Sequence, residues 1–299
     1  AKGTYIDALA APRTPDYNAS KEQLAHHHWL IAQQGPITPS QGATIDALFR
    51  NRWRTLLSID DAIEAVHGAL VTLGVLGSTY VLVTSDHGFN LGQHRLPSCK
   101  LNVYDHDIRI PMVIRGPGIP HGLRFPQPAS NVDVAPTLLG LAGLPPSAFS
   151  HMDGKSVAAL LIPSPDDPEL PASAAAHVRS LASGGEPTQW RTHHFVEYYS
   201  LGAIRRTEHL VDDPKSNTYR ALRFVGDATH GDFLYAEFTA LTDWNFSAVS
   251  FYEAFDLSSD PHQLDNVYAG LDNATKVALS AQVHRQWLCN GQKGPRACT

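Results

Sequence analysis

The chain has 299 residues, enough for one large core or one core with a small second domain. Its 43% hydrophobic and 17% charged content are those of a globular protein, and its net charge of −6 gives no general attraction to nucleic acid or an anionic membrane. No stretch approaches the roughly 18 apolar residues of a membrane span, and no signal peptide opens the chain, as in a mature secreted protein.

Residues 1–43 read as irregular, punctuated by Pro12, Pro15, Gly35, Pro36 and Pro39. Within them stand His26, His27 and His28. Three consecutive side chains diverge from any regular element, so they cannot all face one metal. One packed ring, one exposed and one near a pocket is the expectation. From Thr44 a helical period begins. Ile45, Leu48, Phe49, Trp53, Leu56, Leu57, Ile63, Val66, Leu70 and Leu73 recur at three and four, with Gly74 as terminator. Arg50, Arg52 and Arg54 fill the other faces as solvated or paired cations.

Tyr80 to Val83 reads as a short strand buried on both faces, and a helix leading into a strand fits a mainly parallel sheet. Ligands of open α/β sheets bind beyond the carboxyl ends of the strands. The residues there are Asp86, His87 and Gly88, an acid beside an imidazole with a glycine that lets the backbone come close. Lys100 returns a positive charge to the same spot. Residues 111–115 read as a second strand, stopped by Gly116-Pro117-Gly118. Residues 131–142 read as a helix with Pro136 in its first turn and Asp133 at its positive end.

Residues 162–190, rich in Pro, Ser, Ala, Gly and Asp, read as a linker or surface excursion. Beyond them come strands at 195–199, 219–225 and 253–257, then a helix at about 271–288. Strands followed by a helix imply a small antiparallel sheet with a helix laid on it. Cys289 and Cys298 bracket a polar, Gly-rich loop that a disulfide closes easily, whereas Cys99 reads as a buried apolar residue. Sequons at Asn18, Asn245 and Asn273 point to glycosylation and the secretory route.

The string Ser85-Asp86-His87-Gly88, Leu91-Gly92-Gln93, Leu96-Pro97, Lys100, Tyr104, 107–111 (Asp-Ile-Arg-Ile-Pro) and 115–118 (Arg-Gly-Pro-Gly) resembles the sulfatase family. The likeness is nearest to N-acetylglucosamine-6-sulfatases and arylsulfatases, and it runs from Ala11-Pro12-Arg13 to the terminal cysteines. It implies an α/β fold. Residues 1–161 would be the C-terminal part of the large domain, a mixed sheet sandwiched by helices; 162–190 a linker; and 191–299 a small α+β subdomain with an antiparallel sheet. It implies hydrolysis of a sulfate ester, on a sulfated sugar or an aryl sulfate, in the secretory pathway, either extracellular or lysosomal.

By the same resemblance Asp86 would be a Ca²⁺ ligand and His87 would occupy the neighbouring ligand position. That position departs from oxygen chemistry, because calcium prefers oxygen donors. Lys100 would contact the sulfate and His94 would face substrate. Sulfatases use a formylglycine made from Cys or Ser in C/S-x-P-x-R, and no cysteine or serine of this chain fits that pattern. The implied partner is therefore a missing N-terminal half of the same protein, carrying the nucleophile. Two other readings stand beside this one: a phosphomonoesterase or phosphodiesterase of the same superfamily, and a non-catalytic carbohydrate-binding protein on the same scaffold.

Overall fold

The computed structural model describes residues 5–168, 170–183, 190–200, 202, 213–239, 246 and 248–288. Three of the residues read from sequence, Asn245, Cys289 and Cys298, lie outside them. In chain order the helices are α1 (Lys21–Leu24), α2 (Trp29–Ala32), α3 (Pro39–Thr72), α4 (Asp105–Ile108), α5 (Val134–Leu141), α6 (Ala158–Leu161), α7 (Ala172–Ser183) and α8 (Asn273–Trp287). The strands are β1 (Val81–Thr84), β2 (Met112–Arg115), β3 (His193–Tyr198), β4 (Thr218–Asp227), β5 (Gly231–Thr239) and β6 (Val249–Asp256).

The long helix starts earlier than its hydrophobic period suggests. Thr38 and Gln41 form a reciprocal capping box and Pro39 sits at the first helical position, so residues 39–43 are helical rather than irregular. The end falls where the glycine signal placed it. Gly74 adopts φ +69°, its N–H donates to the Val71 carbonyl, and the Val75 N–H donates to Leu70. At 34 residues α3 is about 50 Å long. Only Ile45 along it is buried, packed with Ala11 and Leu91. Trp53, Leu56, Ile63 and Val66 are 43, 50, 40 and 56% exposed, so most of its apolar stripe faces outward. The arginines are paired: Arg54 with Asp7, Arg50 with the Leu9 carbonyl, and Arg52 over the Phe89 ring.

The short strand after this helix departs from the expected parallel, doubly buried geometry. β1 pairs antiparallel with β2 in a two-stranded sheet, and its residues are half-buried to exposed. A buried reading follows from the apolar run alone, which cannot tell whether neighbouring layers are present.

The second sheet is an antiparallel meander ordered β3-β4-β5-β6. Both of its faces are covered, so β4 and β5 lack the clean alternation of a half-solvated sheet. On one face Ala221, Leu234, Ala236, Phe238 and Phe255 meet Leu24, Leu30, Ile31, Val103 and Tyr104 from the first part of the chain. On the other, Leu222, Phe224, Phe233, Tyr235 and Ala254 pack under Leu279 and Val283 of α8. That second face also holds a fully buried ion pair, Arg220 to Glu237 at 2.8 Å, with the guanidinium beneath the Phe246 and Trp287 rings. β5 was missed in the sequence because its alternation is filled in by burial on both sides.

The stretch read as a linker contains α7. Its Ala174, Ala175 and Val178 are buried against Leu141, Val157 and Leu161, with Trp190 completing the cluster. Proline and serine composition masked a small-residue helix face that fits closely on α5 and α6.

Candidate active site

The loop after β1 is held by backbone contacts that specify its sequence. The Gly88 N–H donates to the Asp107 carbonyl at 2.7 Å and the Phe89 N–H to His106 at 2.9 Å. A Cβ on Gly88 would lie 1.9 Å from the His106 carbonyl oxygen, so only glycine permits this approach. From the other side the Asn131 side-chain amide donates to the carbonyls of Ser85 and Asp86, at 3.3 and 3.0 Å. The 131–133 turn is fixed in its own right. Asp133 is buried, accepts from the N–H groups of Ser130 and Lys155, and pairs with Arg191, which makes it structural.

Within this frame Asp86, His87 and Lys100 come together. The His87 Nδ1–H donates to the Gly88 carbonyl at 2.7 Å, which points Nε2 at the Lys100 ammonium. The Asp86 Oδ2 lies 3.0 Å from the same Nε2, and the Asp86 side chain is 81% exposed. Desolvation, the largest single effect, raises the Asp86 carboxyl, but His87, the two nearby backbone N–H groups and Lys100 together outweigh it and hold the acid below its usual range.

The three residues line one end of a cavity of about 920 Å³. Its walls are the 109–112 and 123–131 segments and the edge strand β3. Arg109, Arg124 and Arg223 bring positive charge to it, and the Arg223 guanidinium is braced on Asp105 at 2.8 Å. Nothing in the periodicity marked these arginines or Asn131, since they converge only through tertiary contacts. On the cavity side of the loop, burial pushes the Asp107 carboxyl up to about 7, against the lowering effect of the Asn102 hydrogen bonds and Lys100.

His94 lies elsewhere. It is fully buried, stacks on Tyr104, and donates from Nε2 to the Gln263 carbonyl at 3.0 Å, so it does not face the cavity. Of the histidine triplet, His27 and His28 are both packed and His26 is exposed, with no ring in the active-site cavity. Cys99 is buried and free, as expected. Asn18 and Asn273 are exposed.

Among the described residues, the donor set at this loop does not fit Ca²⁺. The ion takes six to eight oxygens, whereas the described loop offers the Asp86 carboxylate beside an imidazole nitrogen already engaged by Lys100.

Comparison with known proteins places the chain among sulfatase-like sequences and folds. Residues 10–144 match the family model described as Sulfatase. The chain is 30% identical over 297 residues to N-acetylglucosamine-6-sulfatase of Bos taurus, covering 94% of this chain and 47% of that protein. It is 38% identical over 149 residues to the extracellular sulfatase SULF-1 homolog of Drosophila melanogaster, covering 50% of this chain and 13% of that protein. Among solved structures it superposes with TM-score 0.54 on a protein in complex with its substrate D-glucosamine-2-N,6-O-disulfate, at 24% identity, covering 81% of this chain and 41% of that one.

The fold and the sequence together define a sulfatase-type α/β protein. Residues 10–144 carry the match to the sulfatase family, and the curated relatives of the chain are sulfuric ester hydrolases. The chain spans about half the length of the N-acetylglucosamine-6-sulfatases it matches, at 47% of the Bos taurus protein.

Proposed function

We propose that the chain supplies one wall of a sulfate-ester hydrolase site, acting on sulfated sugars, with the nucleophile brought by sequence outside it. The observation that carries this reading is the convergence of Lys100, His87 and Asp86 at the end of the large cavity. The Lys100 ammonium meets a sulfate oxygen and stabilises the charge that builds on the transferring group. His87, fixed by Gly88, keeps Nε2 aimed at the same point and can hold or pass a proton there. Asp86 would be the carboxylate this chain offers to a metal site that its described residues do not complete, and a cation held there would add positive charge at the sulfate.

The relatives' names support the substrate class, and the exposed apolar stripe of α3 supports a missing partner segment. A secretory location, glycans on Asn18, Asn245 and Asn273, and a Cys289–Cys298 disulfide belong to the same reading. No described helix is long and apolar enough to cross a membrane.

The test measures sulfate release from glucosamine 6-sulfate and an aryl sulfate, by the chain alone and by the chain joined to a sulfatase segment carrying a converted C/S-x-P-x-R site. Turnover only in the joined form is expected. Turnover by the pure chain of verified mass, or none by the joined protein despite correct folding, overturns the reading.

A further inference from the structure

Outside the cavity, a buried cluster joins the start of the chain, the loop after β1 and the turn after β6. Asp16, His94 and His106 each direct one ligand atom to a common point, the three atoms lying within 4.8 Å of one another. Asp16 Oδ1, His94 Nδ1 and His106 Nε2 are buried and make no hydrogen bond, although Asp16 Oδ1 faces His262 Nδ1 at 3.3 Å and His106 Nε2 faces Asp107 Oδ1 at 3.7 Å. Asp16 is 4% exposed and His94 is 0% exposed. A buried polar atom that makes no hydrogen bond is costly, and one ion held among these three would satisfy them together.

The backbone fixes the arrangement. Asp16 and His94 are tied through the His94 N–H, which donates to the Asp16 carbonyl at 2.8 Å, and Tyr17 bridges to Gln93. His94 and its neighbour Arg95 both adopt left-handed backbone, at φ +50° and +60°. Such a pair persists only where the surroundings determine it. The His94 Nε2–H is committed to the Gln263 carbonyl, which leaves Nδ1 as a bare lone pair. A backbone carbonyl on the far nitrogen is how proteins orient a metal-ligating histidine. Burial also keeps the imidazoles of His94 and His106 neutral, the form that ligates.

We propose that Asp16, His94 and His106 form a zinc-type structural metal site, separate from Asp86 and Lys100. Two imidazole nitrogens and one carboxylate suit Zn²⁺ rather than an oxygen-seeking cation. His262 stands at the edge, its Nδ1 3.3 Å from Asp16 Oδ1, as a fourth donor. The atoms lie within 4.8 Å of one another against a ligand spacing of about 3.3 Å in a tetrahedral zinc site, so the widest pair would close by up to about 1.5 Å on binding. Asp107 Oδ1 lies 3.7 Å from the same His106 Nε2, so it flanks the ion's position as a further oxygen donor. The ion would pin residues 16, 94, 106 and 262 together, and so lock the segment that carries Lys100 onto the C-terminal sheet.

The experiment strips the purified chain with chelator, adds Zn²⁺ or Co²⁺, and measures retained metal, thermal midpoint and visible absorption. About one equivalent retained, a raised midpoint and the intense bands of tetrahedral cobalt are expected. Asp16→Asn and His106→Gln, which keep side-chain size, lose the cobalt bands and weaken zinc at least tenfold. His87→Gln leaves them intact. No retained metal in the folded parent, or retention unchanged in both variants, overturns the proposal. If one variant fails to fold, the other decides.

Discussion

The Tyr104 hydroxyl donates to both carboxylate oxygens of Glu253, at 3.1 and 3.2 Å, inside the interface between the site-bearing lobe and the C-terminal sheet. The His28 N–H adds a third bond to the same carboxylate at 2.7 Å. Both Tyr104 and Glu253 are essentially solvent-free. Burial raises Glu253 to about 7 despite these donors, so the carboxyl is protonated more readily folded than unfolded.

Its ionisation therefore works against folding as pH rises from the ordinary carboxylate value toward 7. Glu253→Gln keeps the acceptor for His28 and Tyr104 but cannot ionise. The variant should match the parent near pH 4 and exceed it by on the order of 2–3 kcal/mol at pH 8. Urea unfolding at the two pH values measures the difference, and an equal offset at both would refute the assignment.

The buried histidines act in the opposite sense. Desolvation lowers His27, His28, His94 and His194 to about 4. Each contributes stability that is fully present above the ordinary histidine value of 6.5 and is lost as pH falls toward 4. These four outweigh the two raised acids, Asp107 and Glu253, so the urea midpoint should be lower at pH 5 than at pH 7. His28→Phe, which keeps the stack on Phe238, should reduce that pH sensitivity.

Lys100→Ala and His87→Ala should each lower kcat by at least about a hundredfold in an active preparation containing this chain. Both side chains are only half-buried, so the thermal midpoint should stay within about 2 °C. A loss confined to KM would instead assign them to substrate binding alone.

The outward stripe of α3 should make the isolated chain self-associate. Leu56→Lys with Val66→Glu, both at exposed positions, should lower the mean mass seen by light scattering without changing helix content. In a protein where another segment covers α3, the same pair should cost several kcal/mol, because charges would then be buried.

The sequence by itself determined the parts that depend on near neighbours. The termination of α3 at Gly74, β2, the helix carrying Pro136 and the position of α8 all follow from local spacing. The string around Asp86, His87 and Lys100 marked the family likeness, since glycine and proline positions there answer to backbone geometry. What only the tertiary structure decided depends on what lies opposite. α7 emerged from a stretch read as linker because α5 and α6 give its small residues a surface. β1 became antiparallel and half-exposed because β2 alone pairs with it among the described strands. His94 sits one turn from the active loop in sequence, yet its ring points to Gln263 of the C-terminal lobe, 169 residues away. Burial there removes it from substrate, and the same burial places it beside Asp16 and His106, a grouping that no spacing along the chain could show.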